Sequence, residues 1–367
     1  MSGNSGRKKP NVNHYQTSKP SLPQIAKPLV ASADASLLDF MEDGREYESL
    51  VAASASGFSF QIHADIKRTL DEISVIRNHP VICYISNVIN KNITASTSID
   101  HNDETPFMEM LNNIPQEYKE IDIVLVTPGG LAEVVARLVD MTRKRFDKVG
   151  FILPFMAMSA GTIFCLSGDE LIMSESACIG PIDPQVFSPK AGRFVPAKSV
   201  LTLINAIEER SQKQIENGEK PLWTDMALIQ NIDVKEIGSA LAASQLSIDL
   251  VKKYLAEFKF RSWTKHGSDG RPVTDNERRE RAGKIAEKLC DHSFWLSHSR
   301  EITREMARDD CRLEIVYPES IDGLARAIRR FWAFACFSFE HTPICKIFAS
   351  KWYTMFMQDV KMLNGGK

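Results

Sequence analysis

The sequence has no long hydrophobic run, no cysteine framework and no surplus of either charge, and each gap removes a class of function. No stretch reaches the ~18–20 consecutive apolar residues needed to cross a bilayer. Phe331–Phe339 (FWAFACFSF) comes closest and is ended by Glu340 and Pro343. The basic opening residues MSGNSGRKKP lead into no apolar segment, so no secretory signal is expected and the expected location is cytoplasmic. Seven cysteines are scattered without a CxxC pair or histidines at metal spacing. That pattern argues against a disulfide scaffold or a zinc site and fits a reducing compartment. Lys and Arg number 45 against 47 Asp and Glu, a net charge of −2, so nothing global draws the chain to nucleic acid or an anionic membrane. Paired carboxylates at glycosidase or metal-site spacing do not stand out, and no metal or cofactor is expected.

What is present is a globular composition. Across 367 residues, 43% hydrophobic and 25% charged content can supply a sizeable core. Residues 1–34, rich in Pro, Ser, Asn and Lys, read as a disordered tail. Residues 35–75 read as an N-terminal segment of two helices, 76–330 as the main domain, and 331–367 as an extension packing on the core or at a subunit interface. Within the main domain, Val81–Ser86 (VICYIS), Ile121–Val126 (IDIVLV), Val149–Leu153 (VGFIL) and Leu171–Met173 are short β-branched runs, hence strands. Between them, apolar residues at 131, 134, 135, 138 and 139 have helical spacing, and Ala160–Leu166 reads as a short buried helix. Strand–helix–strand at this pitch predicts parallel strands and an α/β fold. Further on, 198–214, 240–259 and 277–290 read as helices, 265–275 as a turn-rich loop, 313–317 as a last strand and 321–331 as another helix.

Two of the loops that follow strands are unusual. Thr127-Pro128-Gly129-Gly130 lies between IDIVLV and a helix. Paired glycines allow a sharp turn with bare N–H groups, and the helix start adds positive potential, so the loop suits an anionic oxygen. It is neither the GxGxxG fingerprint nor a P-loop, and a plain tight turn remains the alternative. Ala157-Met158-Ser159-Ala160-Gly161 follows the third strand. A serine between small residues at a turn opening a helix is how nucleophiles are held exposed beside a donor N–H. A helix N-cap is the bland reading of the same serine. Both loops fall at the carboxyl ends of strands, where α/β sheets bind ligands.

Thr-Pro-Gly-Gly, then Ala-Met-Ser-Ala-Gly-Thr, then Ser176-Ala177-Cys178-Ile179-Gly180-Pro181-Ile182-Asp183-Pro184-Gln185 resembles the serine dehydrogenase proteinase family. That family sits within the Clp protease, signal peptide peptidase and crotonase superfamily. Arg281–Ala286 and Ser297–Arg300 are similar to its helical segments, so the resemblance spans roughly 75–350. It implies a crotonase-like spiral of ββα units with added C-terminal helices, assembled as a homo-oligomer. It also implies a serine peptidase acting on unfolded or extended polypeptide. Ser159 matches the nucleophile, and Gly129 or Gly130, with Ala160, the oxyanion hole. Pro128, Met158, Gly161 and Asp183 would line the substrate groove.

The base is less direct. The chain has no histidine between His101 and His266, which removes the Clp-type arrangement of a histidine shortly after the serine. In the signal-peptide-peptidase branch the base is a lysine further downstream, and Lys190 and Lys198 are the only lysines between Ser159 and Lys213. Lys198, at a helix start, is the better match. Lowering a lysine pKa from ~10.4 to ~7–8 takes about 3–5 kcal/mol of bias against the charged form, which burial and a helix N-terminus supply. His298 is the competing base, with Asp249 or Asp291 as its acid, or else a structural histidine holding the C-terminal helices. A silent scaffold and a coenzyme A thioester enzyme are the rival functions. An ATPase partner or a membrane surface has no visible docking segment. Gly130→Val is expected to cripple turnover while folding stays largely intact.

Overall fold

The structure, a computed structural model, describes residues 37–90, 92–188, 192–230 and 234–361. For 186–188, 193–201, 234, 236, 237 and 240 it describes the backbone alone. The expected tail at 1–34 and Lys190 lie outside the described residues.

Three helices come first, α1 (Leu37–Phe40), α2 (Glu46–Ala55) and α3 (Ile62–Arg77). The sequence suggested two; the third runs past the expected limit to Asn78, whose left-handed conformation (φ 58°) stops it. Then follow β1 (Val81–Ser86), α4 (Glu104–Asn112), β2 (Glu120–Val126) and α5 (Ala132–Arg145). Next are β3 (Lys148–Leu153), β4 (Met156–Ala157), α6 (Ala160–Cys165), β5 (Glu170–Met173) and β6 (Cys178–Ile179). A hairpin of β7 (Gln185–Ser188) and β8 (Arg193–Pro196) leads into α7 (Ala197–Glu216), α8 (Trp223–Gln230) and α9 (Val234–Tyr254). A π-helical turn, Leu255–Lys259, ends that last helix. The remainder is α10 (Asp275–Leu289), α11 (His292–Trp295), β9 (Ile302–Thr303), α12 (Arg304–Asp309), α13 (Leu324–His341), β10 (Ile344–Ala349) and β11 (Thr354–Gln358).

The main sheet has the order β11-β10-β1-β2-β3-β5. β1, β2, β3 and β5 are parallel, with Ile123 opposite Phe151 and Val124 opposite Ile152. Because side chains alternate along a strand, one sequence run feeds two cores. Ile82, Tyr84, Ile123, Leu125, Phe151 and Leu153 join the cluster that includes α4, α5 and α6 residues. Val81, Cys83, Ile85, Val124, Val126 and Ile152 join α3 and α13 on the other face. This two-sided burial is why these strands read as continuous apolar runs. Each fully buried large side chain stabilises the fold by about 1.5–3 kcal/mol.

At the carboxyl end of the sheet, β3 is followed by a very short strand and then a helix, β4 and α6. The short strands pair among themselves, β4 with β6 and β6 with β9. Bridges Thr127–Ala157 and Ile99–Gly130 extend this second layer toward the end of β2.

Two expectations from the C-terminal part need correction. Residues 313–317 do not form a strand; Val316 makes a single bridge to Ile172. The expected boundary at 330/331 falls inside α13, whose Leu324, Ile328, Phe331, Phe334 and Phe339 are buried against the sheet. Beyond it, β10 pairs antiparallel with β1 and β11 with β10, so this extension supplies two strands of the main sheet.

Candidate active site

The ends of β2 and β3 lie side by side, and their loops are stitched together by backbone bonds. Thr127 N–H donates to Met156 O (2.9 Å), and Met158 N–H donates to Thr127 O (3.0 Å). Gly161 N–H donates to Met158 O (2.8 Å), closing a four-residue turn from Met158 to Gly161. Ser159 is the first central residue of that turn, at φ 51° and ψ −116°. These are the angles of a type II′ turn, a position that glycine normally fills. Holding a serine there stores on the order of 1–3 kcal/mol of backbone strain. The result is a half-exposed Ser159 at the mouth of α6, whose hydroxyl has no hydrogen-bond partner among the described residues. Its side chain does not cap the helix, so the N-cap reading falls.

Gly129 and Gly130 form the opposite wall. Both have positive φ, 103° and 151°. A β-carbon on Gly129 would lie 2.8 Å from Met158 O and 2.9 Å from Ser159 Cβ, so the bare backbone passes directly against the serine. Gly129 N–H is engaged by Thr127 Oγ1 (3.1 Å), whereas Gly130 N–H meets no acceptor among the described residues. Ala160 N–H, in the first turn of α6, has none there either. Two N–H groups without an acceptor, one in the glycine loop and one at the start of the helix that Ser159 opens, are the kind of donor that can stabilise a negative oxygen.

Across Gly130, Ile99 N–H donates to Gly129 O (2.7 Å) and Leu131 N–H donates to Ile99 O (3.0 Å). A β-carbon on Gly130 would come within 2.2 Å of Ile99 O. Gly130→Val therefore has to displace this bridge, which corrects the expectation that folding would be indifferent to it.

The remaining groove candidates divide. Pro128 and Met158 are half-buried at the loop surfaces. Gly161 is buried, and the space of its missing β-carbon is filled by Thr127 Cγ2 at 2.4 Å, so it serves loop packing rather than an open groove. Asp183 is fully buried and bonds two histidines, His298 Nδ1 at Oδ1 and His292 Nδ1 at Oδ2, each at 2.9 Å. It too faces inward, and it is the acid on His298. Asp249 instead accepts from Gln245 (2.8 Å) on a helix surface, and Asp291 caps α11.

The segment holding Asp183 touches the serine turn. A β-carbon on Gly180 would sit 3.1 Å from Ser159 N, and Thr162 Oγ1 bonds both Gly180 N–H (2.9 Å) and Gly180 O (2.8 Å). Lys198 is the second residue of α7; its side chain lies outside the described residues. Two residues escaped the sequence reading. Thr127 orders the glycine loop, and only the Thr-Pro-Gly-Gly spelling hinted at it. His292 shares Asp183 with His298, and nothing in the local sequence separates it from a surface histidine.

Thiol chemistry is not set up here. Burial pushes the Cys178 thiol up to about 11 and the Cys165 thiol up to about 12, so both stay protonated near neutrality. Among the described residues, no group of three His, Cys, Asp or Glu could hold a metal ion. No helix of the described residues is long and apolar enough to cross a membrane.

Residues 60–277 match the model of the ClpP-like SDH-type serine proteinases, and the chain belongs to that family. Its α/β architecture is the ClpP-like fold the sequence suggested. Among curated proteins, two uncharacterised proteins of Methanocaldococcus jannaschii are similar. One is 26% identical over 221 residues, 58% of this chain and 70% of its own length; the other is 30% identical over 129 residues, 35% and 40% respectively. Among solved structures, the 1510-N membrane-bound stomatin-specific protease in complex with a substrate peptide aligns over 60% of this chain and 70% of its own. Its identity is 17% and its TM-score 0.35. ClpP1 from Listeria monocytogenes aligns over 68% and 94%, with 11% identity and a TM-score of 0.34.

Proposed function

We propose that this ClpP-like serine proteinase is an endopeptidase that cuts unfolded or extended polypeptide, with Ser159 as its nucleophile. The observation that carries the reading is the strained II′ turn that holds Ser159 half-exposed at the start of α6 with the Gly129 backbone against it. Gly130 N–H and Ala160 N–H, which meet no acceptor among the described residues, are the proposed oxyanion donors. Ser159 Oγ bonds to the scissile carbonyl carbon as its proton passes to the base. The carbonyl oxygen becomes an oxyanion held by Gly130 N–H and Ala160 N–H. Collapse breaks the C–N bond, the base returns the proton to the departing amine, and water then hydrolyses the acyl-serine by the same route.

Lys198 is the proposed base, on its place in the first turn of α7, where the helix dipole favours a neutral amine. The second reading, favoured by the Asp183–His298 bond, uses His298 oriented by Asp183. A homo-oligomer in the cytoplasm is the proposed setting, in keeping with the ClpP-like family.

The deciding experiment incubates a proteome-derived peptide mixture with the wild type and with Ser159→Ala, followed by mass spectrometry of new termini. Cleavages made by the wild type alone uphold the reading. Identical digests overturn it in favour of a silent scaffold or a thioester enzyme, and binding of coenzyme A thioesters separates those two.

A further inference from the structure

A charged cluster is buried directly behind the glycine loop, and no step above uses it. Lys346, on β10, is 1% exposed, and Asp103 is fully buried. Lys346 Nζ donates to Asp103 Oδ1 (2.7 Å), Asp103 Oδ2 (2.9 Å) and Ser98 O (2.6 Å), and lies 3.6 Å from Asp100 Oδ2. Tyr84 OH and Asp100 N–H both donate to Asp103 Oδ2, at 2.6 and 2.9 Å. Everything the ammonium grips therefore lies in residues 98–103, and Ile99 of that segment is the residue that brackets Gly130 through its bonds to Gly129 and Leu131.

The same segment is fastened upstream to the same end of the chain. Asp359, just after β11, accepts from Thr94 N–H (2.6 Å), Thr94 Oγ1 (2.8 Å) and Ala95 N–H (3.0 Å). Asn87 Nδ2 donates to Ile344 O (3.0 Å). A well-packed apolar residue at 346 would avoid the desolvation of a lysine and commonly gives equal or better stability, so core filling alone does not account for this choice. What an apolar residue could not do is hold the Ser98 carbonyl and the Asp103 carboxylate at a fixed separation.

We propose that Lys346 is a positioning residue: acting through Ser98–Asp103 and Ile99, it fixes where the Gly130 amide points, so that the C-terminal strand pair sets the geometry of the oxyanion loop. This rests on the peptidase reading above. It assigns a role to a residue outside the family-matched region 60–277.

The test uses the full chain and two variants. Lys346→Met/Asp103→Asn removes both charges together, leaving no unpaired buried ion. Tyr84→Phe keeps both charges and deletes one hydrogen bond. In the first variant, amide exchange at Leu131 is expected to accelerate at least about tenfold, while the β2 and β3 amides stay as protected as in wild type. Its kcat should fall about 10–100-fold with KM changed less than about threefold, because a misaimed donor harms the transition state more than ground-state binding. Affinity for a peptide boronate, which forms a tetrahedral adduct on the serine, should fall in parallel with kcat. Tyr84→Phe should move all three readouts the same way by a smaller factor, and it decides the matter if the double variant does not fold. Unchanged exchange at Leu131, or faster exchange with unchanged kcat and boronate affinity, would overturn the proposal. If Ser159→Ala shows that the protein is no peptidase, the exchange measurement alone decides whether Lys346 braces the loop.

Discussion

Gly129 and Ser159 come so close that a β-carbon on the glycine would lie 2.9 Å from the serine Cβ. Neither loop can change without the other. The pair joins the ends of two neighbouring strands into one rigid wall, and the serine's unusual backbone conformation persists because that wall leaves it no alternative.

Gly129→Ala should therefore damage both chemistry and fold. The methyl group meets backbone and Ser159 Cβ, and φ 103° is unfavourable for alanine. We expect a loss of about 1–3 kcal/mol of stability. A fall in kcat of about 10²–10³-fold is expected as the proposed oxyanion donors are displaced. Thermal unfolding and steady-state cleavage of one peptide, measured on the same preparation, check both numbers; unchanged kcat would remove the loop from the mechanism.

Ser159→Gly should give a dead but sturdier protein. Relief of the strained turn contributes about 1–3 kcal/mol, and the extra freedom of glycine in the unfolded chain takes back about 0.4–1 kcal/mol. A net gain of about 1 kcal/mol is expected in chemical denaturation, with no turnover. Ser159→Ala keeps the strain, so it should be equally dead without that gain.

The two candidate bases separate by what their loss does to the fold. His298→Ala leaves the buried Asp183 with His292 alone, which should cost about 1–3 kcal/mol of stability. On the lysine reading it keeps substantial turnover, and Lys198→Ala abolishes turnover in a folded protein. The reverse pattern in a kcat comparison would assign the base to His298.

Lys259 offers a pH test on a group that the proposed chemistry does not use. It is 6% exposed in the π-helical turn, and burial lowers its pKa to about 8 against the pull of Glu314 and other acids. The unfolded chain, with a lysine pKa near ~10.4, binds more protons between these values, so wild-type stability should rise with pH from about 8 to about 10.4. At pH 7 the charged form carries its full penalty. Lys259→Met should stabilise the protein there by on the order of 1–3 kcal/mol, and the gap should shrink toward pH 10. Denaturation curves of both proteins at pH 7, 8.5 and 10 would show this; a constant gap would mean the lysine does not titrate in that range.

The parts legible in the sequence share a physical cause. β1, β2, β3 and β5 are buried on both faces, which forces the unbroken apolar runs that mark them, and the turns at 127–130 and 157–161 need small residues that stand out. Ser159 was visible as a candidate, but its conformation was not, because a II′ turn usually advertises itself with glycine. β10 was hidden by Lys346, a charge in the middle of ICKIFA that breaks the strand signature and makes sense only beside Asp103. Asp183 reads in the sequence as a groove residue, and its role as the buried partner of two histidines is hidden because they lie 109 and 115 residues further along.

The position of β10 between β1 and β11 has a consequence for the order of assembly. Tyr84 and Asp103 are made early, and the lysine that pairs with Asp103 follows 243 residues after it. A chain emerging from the ribosome carries the serine turn and the glycine loop long before it carries the strand that closes the sheet beside β1. Until residues 344–358 have left the exit tunnel, the segment around Ile99 lacks its clamp, and the Gly130 side of the glycine loop lacks that support. A protease built this way stays incompletely assembled during its own synthesis, when its unfolded segments are most exposed to being cut.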